Sequence, residues 1–174
     1  MTPYRTPDRW LLADGLLQAT MQELAIDGGL HREGVAFFLG RHKDTVAHIT
    51  HLCTLRGDKL DKTVDHLRID PALMNEVTDL SIAEDLHLVG QIHSHGPGYG
   101  TDLSYPDHFY GIRVPGFLSL VAPDFAQRRE TQLVECGVHV FETPGGFRRM
   151  PPGEISRRFG RLDNARHRVV VASV

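Results

Sequence analysis

Two histidines separated by one serine, His93-Ser94-His95, are the side chains of this sequence best spaced to do chemistry together. They close an apolar run, residues 87–93, that reads as a strand. On an extended backbone, residues two apart face the same side, so both imidazoles can reach one ion. Two neutral imidazoles, a carboxylate and a water make the open tetrahedral site typical of catalytic zinc. Asp107 is the leading carboxylate, because Ser104-Tyr105-Pro106-Asp107 reads as the first turn of a helix, with Ser104 as N-cap and Asp107 three residues on. The same two residues also fit a plain capping pair, with the histidines as surface residues. Asp102 and His108 are alternative ligands. Asp102 also reads as a solvated loop acid, and His108 as a side chain that packs beside the helix or orients Asp107.

The elements around these residues follow from periodicity. Trp10, Leu11, Leu12, Leu16, Leu17, Met21 and Leu24 recur at steps that predict an amphipathic helix ended by Gly28-Gly29. Residues 34–39 read as a buried strand and 46–55 as its neighbour across a hairpin, with 56–66 loop-like and a short strand from His66. Pro71 after Asp70 opens a second helix, and the strand 87–93 enters the loop HSHGPGYGTDLSYPDHFYG. Residues 117–123 and 131–142 read as strands, followed by PGG and PPG turns, a helical stretch near ISRRFGRLDNA and a strand-like RVVVASV. The sum is an α/β or α+β sandwich, a mixed sheet flanked by helices.

Composition narrows the function classes. At 174 residues, 41% of them hydrophobic, the chain suits one domain with one complete core. Cys53 and Cys136 are too few and too distant for a disulfide framework or a zinc knuckle; inside apolar strands they read as small buried hydrophobes. A net charge of −3 argues against nucleic-acid binding by bulk electrostatics, although the tail from Arg128 is arginine-rich. Arg148-Arg149 and Arg157-Arg158 read as a solvated face or as a dock for an acidic surface. The expected location is cytoplasmic, since no stretch approaches 18 apolar residues. Of the eleven histidines, His48, His51, His66, His87 and His139 read as surface or hydrogen-bonded structural residues.

The order of motifs resembles the JAMM/MPN zinc metalloprotease family: HSH, a Gly/Pro/aromatic loop, SxxD, and a separate Glu33-Gly-Val-Ala-Phe-Phe-Leu-Gly40 that is similar to the family's catalytic-glutamate strand. The similarity covers roughly residues 10–125, including HLRIDPALMNEV ahead of HLVGQIHSH. The family usually has proline directly after the second histidine and seven residues before the serine. Here Gly96 precedes Pro97 and eight residues intervene, an extra residue that the glycines of GPGYG can absorb as a bulge.

This resemblance implies an MPN-type, cytidine-deaminase-like three-layer sandwich with a mixed, mostly antiparallel sheet. It implies a single domain over 1–174, with its core at about 10–142 and a C-terminal extension, 143–174, packed on that core. It makes His93, His95 and Asp107 the zinc ligands, Glu33 the general base and Ser104 the oxyanion stabiliser, with Gly98, Tyr99 and Gly100 lining the substrate channel. Glu33 alone would read as an ordinary strand-edge carboxylate. The implied activity is hydrolysis after the C-terminal glycine of a ubiquitin-like protein, for deconjugation or precursor maturation. The stretch after Asp107 is short beside eukaryotic members, which suggests a compact bacterial-type enzyme of a ubiquitin-like conjugation or antiphage system. Its implied partners are ubiquitin-like conjugates and activating-enzyme-like and conjugating-enzyme-like proteins, with no nucleic acid and no membrane. Processing of a sulfur-carrier protein in cysteine or cofactor biosynthesis uses identical chemistry, and a metal-free MPN scaffold is the non-enzymatic alternative.

Overall fold

The computed structural model describes residues 5–63 and 67–174; the expectation for His66 lies outside them. The chain runs β1 (Arg9–Asp14), α1 (Leu16–Gly28), β2 (Val35–Lys43), β3 (Val46–Arg56), β4 (Leu60–Lys62), β5 (Leu67–Ile69), α2 (Pro71–Ala83), β6 (His87–Ser94), α3 (Tyr105–Tyr110), β7 (Leu118–Ala122), β8 (Gly137–Glu142), β9 (Gly146–Arg149), α4 (Pro152–Arg158), β10 (Phe159–Arg166) and β11 (Arg168–Ser173). The main sheet has the order β10-β1-β3-β2-β6-β7-β8-β9, and β11 also pairs with β3. Among the described residues, five of the nine strand pairings are antiparallel, among them β3-β2 and β2-β6, while β6-β7 and those of β1 and β11 are parallel. This is a mixed α+β fold built on one large sheet.

Strand β2 explains why the sheet carries helices on both faces. Its alternating side chains divide between two apolar clusters, Ala36 and Phe38 with Leu16, Met21 and Leu24 of α1, and Val35, Phe37 and Leu39 with Leu73 and Val77 of α2. A strand buried on both faces loses the polar alternation of a half-exposed one, which is why GVAFFL reads as a continuous apolar run. The hairpin from β2 to β3 turns at Asp44-Thr45, where Asp44 takes a left-handed φ of 54°.

Four sequence expectations change. Residues 9–14 are a strand and not the first turn of a helix, because Trp10 and its neighbours find backbone partners in β3 and β10. The break falls at Gly15, whose φ of 73° ends the strand, so α1 starts only at Leu16. Leu133–Glu135 form a 3-10 turn ahead of β8 rather than the start of a strand. The predicted loop 56–66 contains β4, paired antiparallel with β5. The stretch around ISRRFGRLDNA is helical only to Arg158; Phe159–Arg166 continue as β10 beside β1, with Phe159 stacked on Trp10 at 5.2 Å between ring centroids. Residues 143–174 contribute β9, β10 and β11 to the main sheet. Both cysteines are buried, and that burial raises their thiol pKa values to about 11 at Cys53 and about 12 at Cys136.

His139, on β8, is buried, with its Nδ1 3.1 Å from the Ser119 carbonyl oxygen. Burial lowers its pKa from 6.5 to about 4. Between those values an unfolded chain binds a proton here that the folded chain does not, so stability falls as pH drops through this window, by up to about 3 kcal/mol. Denaturant unfolding measured from neutral pH down to this window should show that slope. His139→Gln should flatten it; an unchanged slope would remove His139 as its source.

Candidate metal centre

Antiparallel pairing of β2 with β6 places the start of one beside the end of the other, with Val35 opposite His93. The residues just before β2 and just after β6 therefore share one edge of the sheet. That edge is pinned by a reciprocal pair: the Gly34 N–H donates to Ser94 Oγ at 2.9 Å, and the Ser94 N–H donates to the Gly34 carbonyl at 3.0 Å. Gly34 has to be glycine for a steric reason, since a Cβ there would lie 2.9 Å from the Leu24 backbone of α1. Glu33 follows from this arrangement. It is 8% exposed, next to the histidine pair, and close enough that its charge acts on His95.

His95 leaves β6 but stays bonded to β7: its N–H donates to Ala122 and its carbonyl accepts the Phe125 N–H at 2.7 Å. Phe125 belongs to a 3-10 turn in which Asp124, Phe125 and Ala126 all have φ between 52° and 56°. Left-handed backbone at three consecutive non-glycine residues costs about 1–2 kcal/mol apiece. The tight turn brings the Phe125 amide to His95 and its ring against Gly96, where a Cβ would come within 2.8 Å. The following loop bends through Gly98 and Gly100, at φ of 88° and 71°, and leads into α3.

Helix α3 carries Asp107 to the histidines. Ser104 caps it in a full capping box: Ser104 Oγ accepts from the Asp107 N–H at 3.4 Å, and Asp107 Oδ2 accepts from the Ser104 N–H at 2.8 Å. The Ser104 hydroxyl also donates to Asp107 Oδ2, at 2.7 Å. The plain capping reading and the ligand reading therefore meet in one carboxylate. His93 Nε2 lies 3.1 Å from His95 Nε2, and Asp107 Oδ2 lies 3.3 Å and 3.8 Å from these two nitrogens.

Those distances test the site for zinc. Bonds of about 2.0–2.1 Å at the tetrahedral angle set two ligand atoms about 3.3–3.4 Å apart, and the three edges of this cluster bracket that value. The tautomer is suited too: His95 Nδ1 sits 3.1 Å from the Gly100 carbonyl, a partner for an Nδ1–H that leaves the Nε2 lone pair facing the cluster. The electrostatics favour a cation. Burial works to lower the His95 pKa, but the neighbouring Asp107 carboxylate and the charge of Glu33 outweigh it, and the net shift is upward. Burial would raise Asp107, yet the adjacent His93 and His95 imidazoles and the hydrogen bond from the Ser104 hydroxyl hold its carboxyl far below the usual carboxylate range.

The other residues singled out by sequence lie elsewhere. Asp102 is exposed and ion-paired with Arg149, and His108 packs edge-on against Phe147 at 6.4 Å between centroids. Among the described residues, His93, His95 and Asp107 are the group whose ligand atoms converge. Tyr99 is exposed on the glycine loop, and Tyr105, Phe109 and Tyr110 of α3 add exposed rings beside the site. The arginine-rich tail is largely engaged internally: Arg148 bridges Glu142 and Glu154, each at 2.8 Å, and Arg158 reaches Glu154 at 2.7 Å. Ser94 had no role in the sequence reading, because a bond across sixty residues leaves no local signal.

No family model matches the chain, and no curated protein matches it. Among solved structures, it is similar to the solution structure of protein DSY2949 from Desulfitobacterium hafniense, at 13% identity and a TM-score of 0.60, covering 95% of this chain and 94% of that one. At that identity the likeness establishes the mixed α+β fold alone. Among the described residues, no helix is long and apolar enough to cross a membrane.

Ser94→Ala removes the acceptor of a buried amide and should destabilise the chain by about 1–3 kcal/mol in urea denaturation. A variant as stable as the parent would mean that the Gly34 N–H is satisfied in another way.

Proposed function

We propose that the chain is a zinc-dependent peptidase of the JAMM type that hydrolyses the bond after the C-terminal glycine of a ubiquitin-like protein. The observation that carries this reading is the convergence of His93, His95 and Asp107 at tetrahedral edge lengths with the buried Glu33 beside them. In this reading the sheet with α1 and α2 on opposite faces is an MPN-type sandwich. The order Glu33, His-Ser-His, Ser-x-x-Asp supports it, as does the site's position at the ends of adjacent strands. The extra loop residue is compatible with it, since Gly98 and Gly100 take up the turn without displacing Asp107.

Zinc bound by His93, His95 and Asp107 would supply Lewis acidity, lowering the pKa of a coordinated water to about 7 and polarising the scissile carbonyl. The rest falls to the chain's own groups. Glu33 accepts a proton from the attacking water and returns it to the leaving amine. Ser104 holds the Asp107 carboxylate through its hydroxyl, and in this reading it turns the same hydrogen toward the carbonyl oxygen as charge develops there. An extended Gly-Gly tail suits the approach along the 96–103 loop, where Gly98 and Gly100 present no side chain and Tyr99 is exposed at the rim. The exposed rings of α3 offer a firm apolar face to the folded part of such a substrate.

The placement in a bacterial ubiquitin-like conjugation or antiphage system, together with activating-enzyme-like and conjugating-enzyme-like proteins, rests on the resemblance of the motifs. A panel of ubiquitin-like proteins fused through Gly-Gly to a reporter tests the activity directly. The zinc-loaded chain should cleave at least one of them after the second glycine. Glu33→Gln should keep its zinc and its fold while losing about 100-fold or more in kcat; undiminished turnover would remove Glu33 as the base.

A further inference from the structure

Asp27 lies near the C-terminal end of α1 and is buried, although nothing in the chemistry above uses it. Its two carboxylate oxygens serve different cations: Oδ2 takes the Lys62 ammonium, and Oδ1 takes the Arg32 guanidinium at 3.2 Å. Its backbone carbonyl accepts the N–H groups of Leu30 and Arg32, at 2.8 Å and 3.1 Å, which shapes the turn between α1 and β2. Arg32 directly precedes Glu33. Lys62 directly precedes Thr63, whose carbonyl accepts the Glu33 N–H at 2.9 Å. One carboxylate therefore grips both chain segments that meet at the Glu33 amide.

We propose that Asp27 is the positioning residue for Glu33, holding it beside the His93–His95–Asp107 centre by clamping residues 32 and 62 together. The proposal builds on the reading of Glu33 as the proton acceptor. Two neighbours complete the seat. On the far side of Glu33, Gly34 is locked to Ser94, between the two histidines. Behind it, the Leu24 backbone stands too close to Gly34 for any side chain. The Gly34 side is pinned to β6, and on the other side the Asp27 contacts act on the path of residues 30–33. Lys62 and Asp27 side chains are 11% and 12% exposed, so the pair is shielded from the salt and solvent screening that weakens surface ion pairs. Without the clamp the fold keeps its sheet, its histidines and Asp107, but the carboxylate drifts from its place. A displacement of about 1 Å at a reacting group costs on the order of 100-fold in rate.

The test compares the full chain with Asp27→Asn, and with Asp27→Asn combined with Lys62→Gln, which leaves no orphaned ammonium should the single variant fail to fold. Three readouts are taken: zinc content, amide hydrogen exchange, and turnover of the Gly-Gly reporter fusion that the parent cleaves fastest. The expected result is unchanged zinc stoichiometry, exchange faster by about tenfold at Glu33 and Gly34 with Phe37 and Ile92 unaltered, and kcat down by about 10- to 100-fold with KM within about twofold. Parental kcat and parental exchange at Glu33 would overturn the proposal. Uniformly faster exchange throughout the sheet, or failure of both variants to fold, would equally overturn it by making Asp27 a general stabiliser. If the parent cleaves no fusion in the panel, the functional reading fails on that count, and the exchange pattern alone decides whether Asp27 holds Glu33.

Discussion

The two hydrogen bonds exchanged by Gly34 and Ser94 are the constraint on which the rest of the site depends. They tie the entrance of β2 to the exit of β6, and their neighbours in sequence are the residues of the proposed centre: Glu33 on one side, His93 and His95 on the other. A one-residue slip of this pairing would exchange the faces of β2 and move every side chain on it to the opposite cluster. Because Phe37 and Phe38 are both buried, on opposite faces, the slip is opposed by both cores at once. The register that buries the aromatic rings is thus also the register that places the carboxylate.

Asp107 comes to the same point by a different route. Helix α3 has six residues and no buried side chain, so neither propensity nor packing would hold it. Its stability lies in the capping box of Ser104 and Asp107 and in the contact of Asp107 with the two imidazoles. The cluster brings two carboxylates, Glu33 and Asp107, toward two imidazoles in a largely dehydrated corner. The two carboxylates raise the His95 pKa, and a divalent cation would satisfy the same charge pattern. This coupling makes the short helix an integral part of the proposed centre.

Much of this was legible in the sequence, and for reasons that can be named. The i, i+2 histidines, the N-cap serine and the apolar run after Glu33 are local patterns, set by strand pleat and helix capping, and the structure brings those residues together. What escaped was non-local. Trp10 and its apolar neighbours fit a helical stripe, and only pairing with β3 and with β10, about 150 residues away, makes them a strand. Phe159–Arg166 read as polar helix because its strand identity is conferred by that same partner. Neither Ser94 nor Asp27 carries a local signal of its role, because their partners are distant in sequence. The left-handed turn at 124–126 is held by tertiary contacts against the preferences of its own residues.

The central claim is that His93, His95 and Asp107 hold one zinc ion with an open position facing Glu33. X-ray absorption at the zinc K-edge of the stoichiometrically loaded chain tests it most directly. The account predicts four nitrogen or oxygen ligands at about 2.0–2.1 Å, with the outer-shell scattering of two imidazoles, and loss of that signal in His93→Ala. A sulfur ligand near about 2.3 Å, a single imidazole, or an unchanged spectrum in His93→Ala would contradict it.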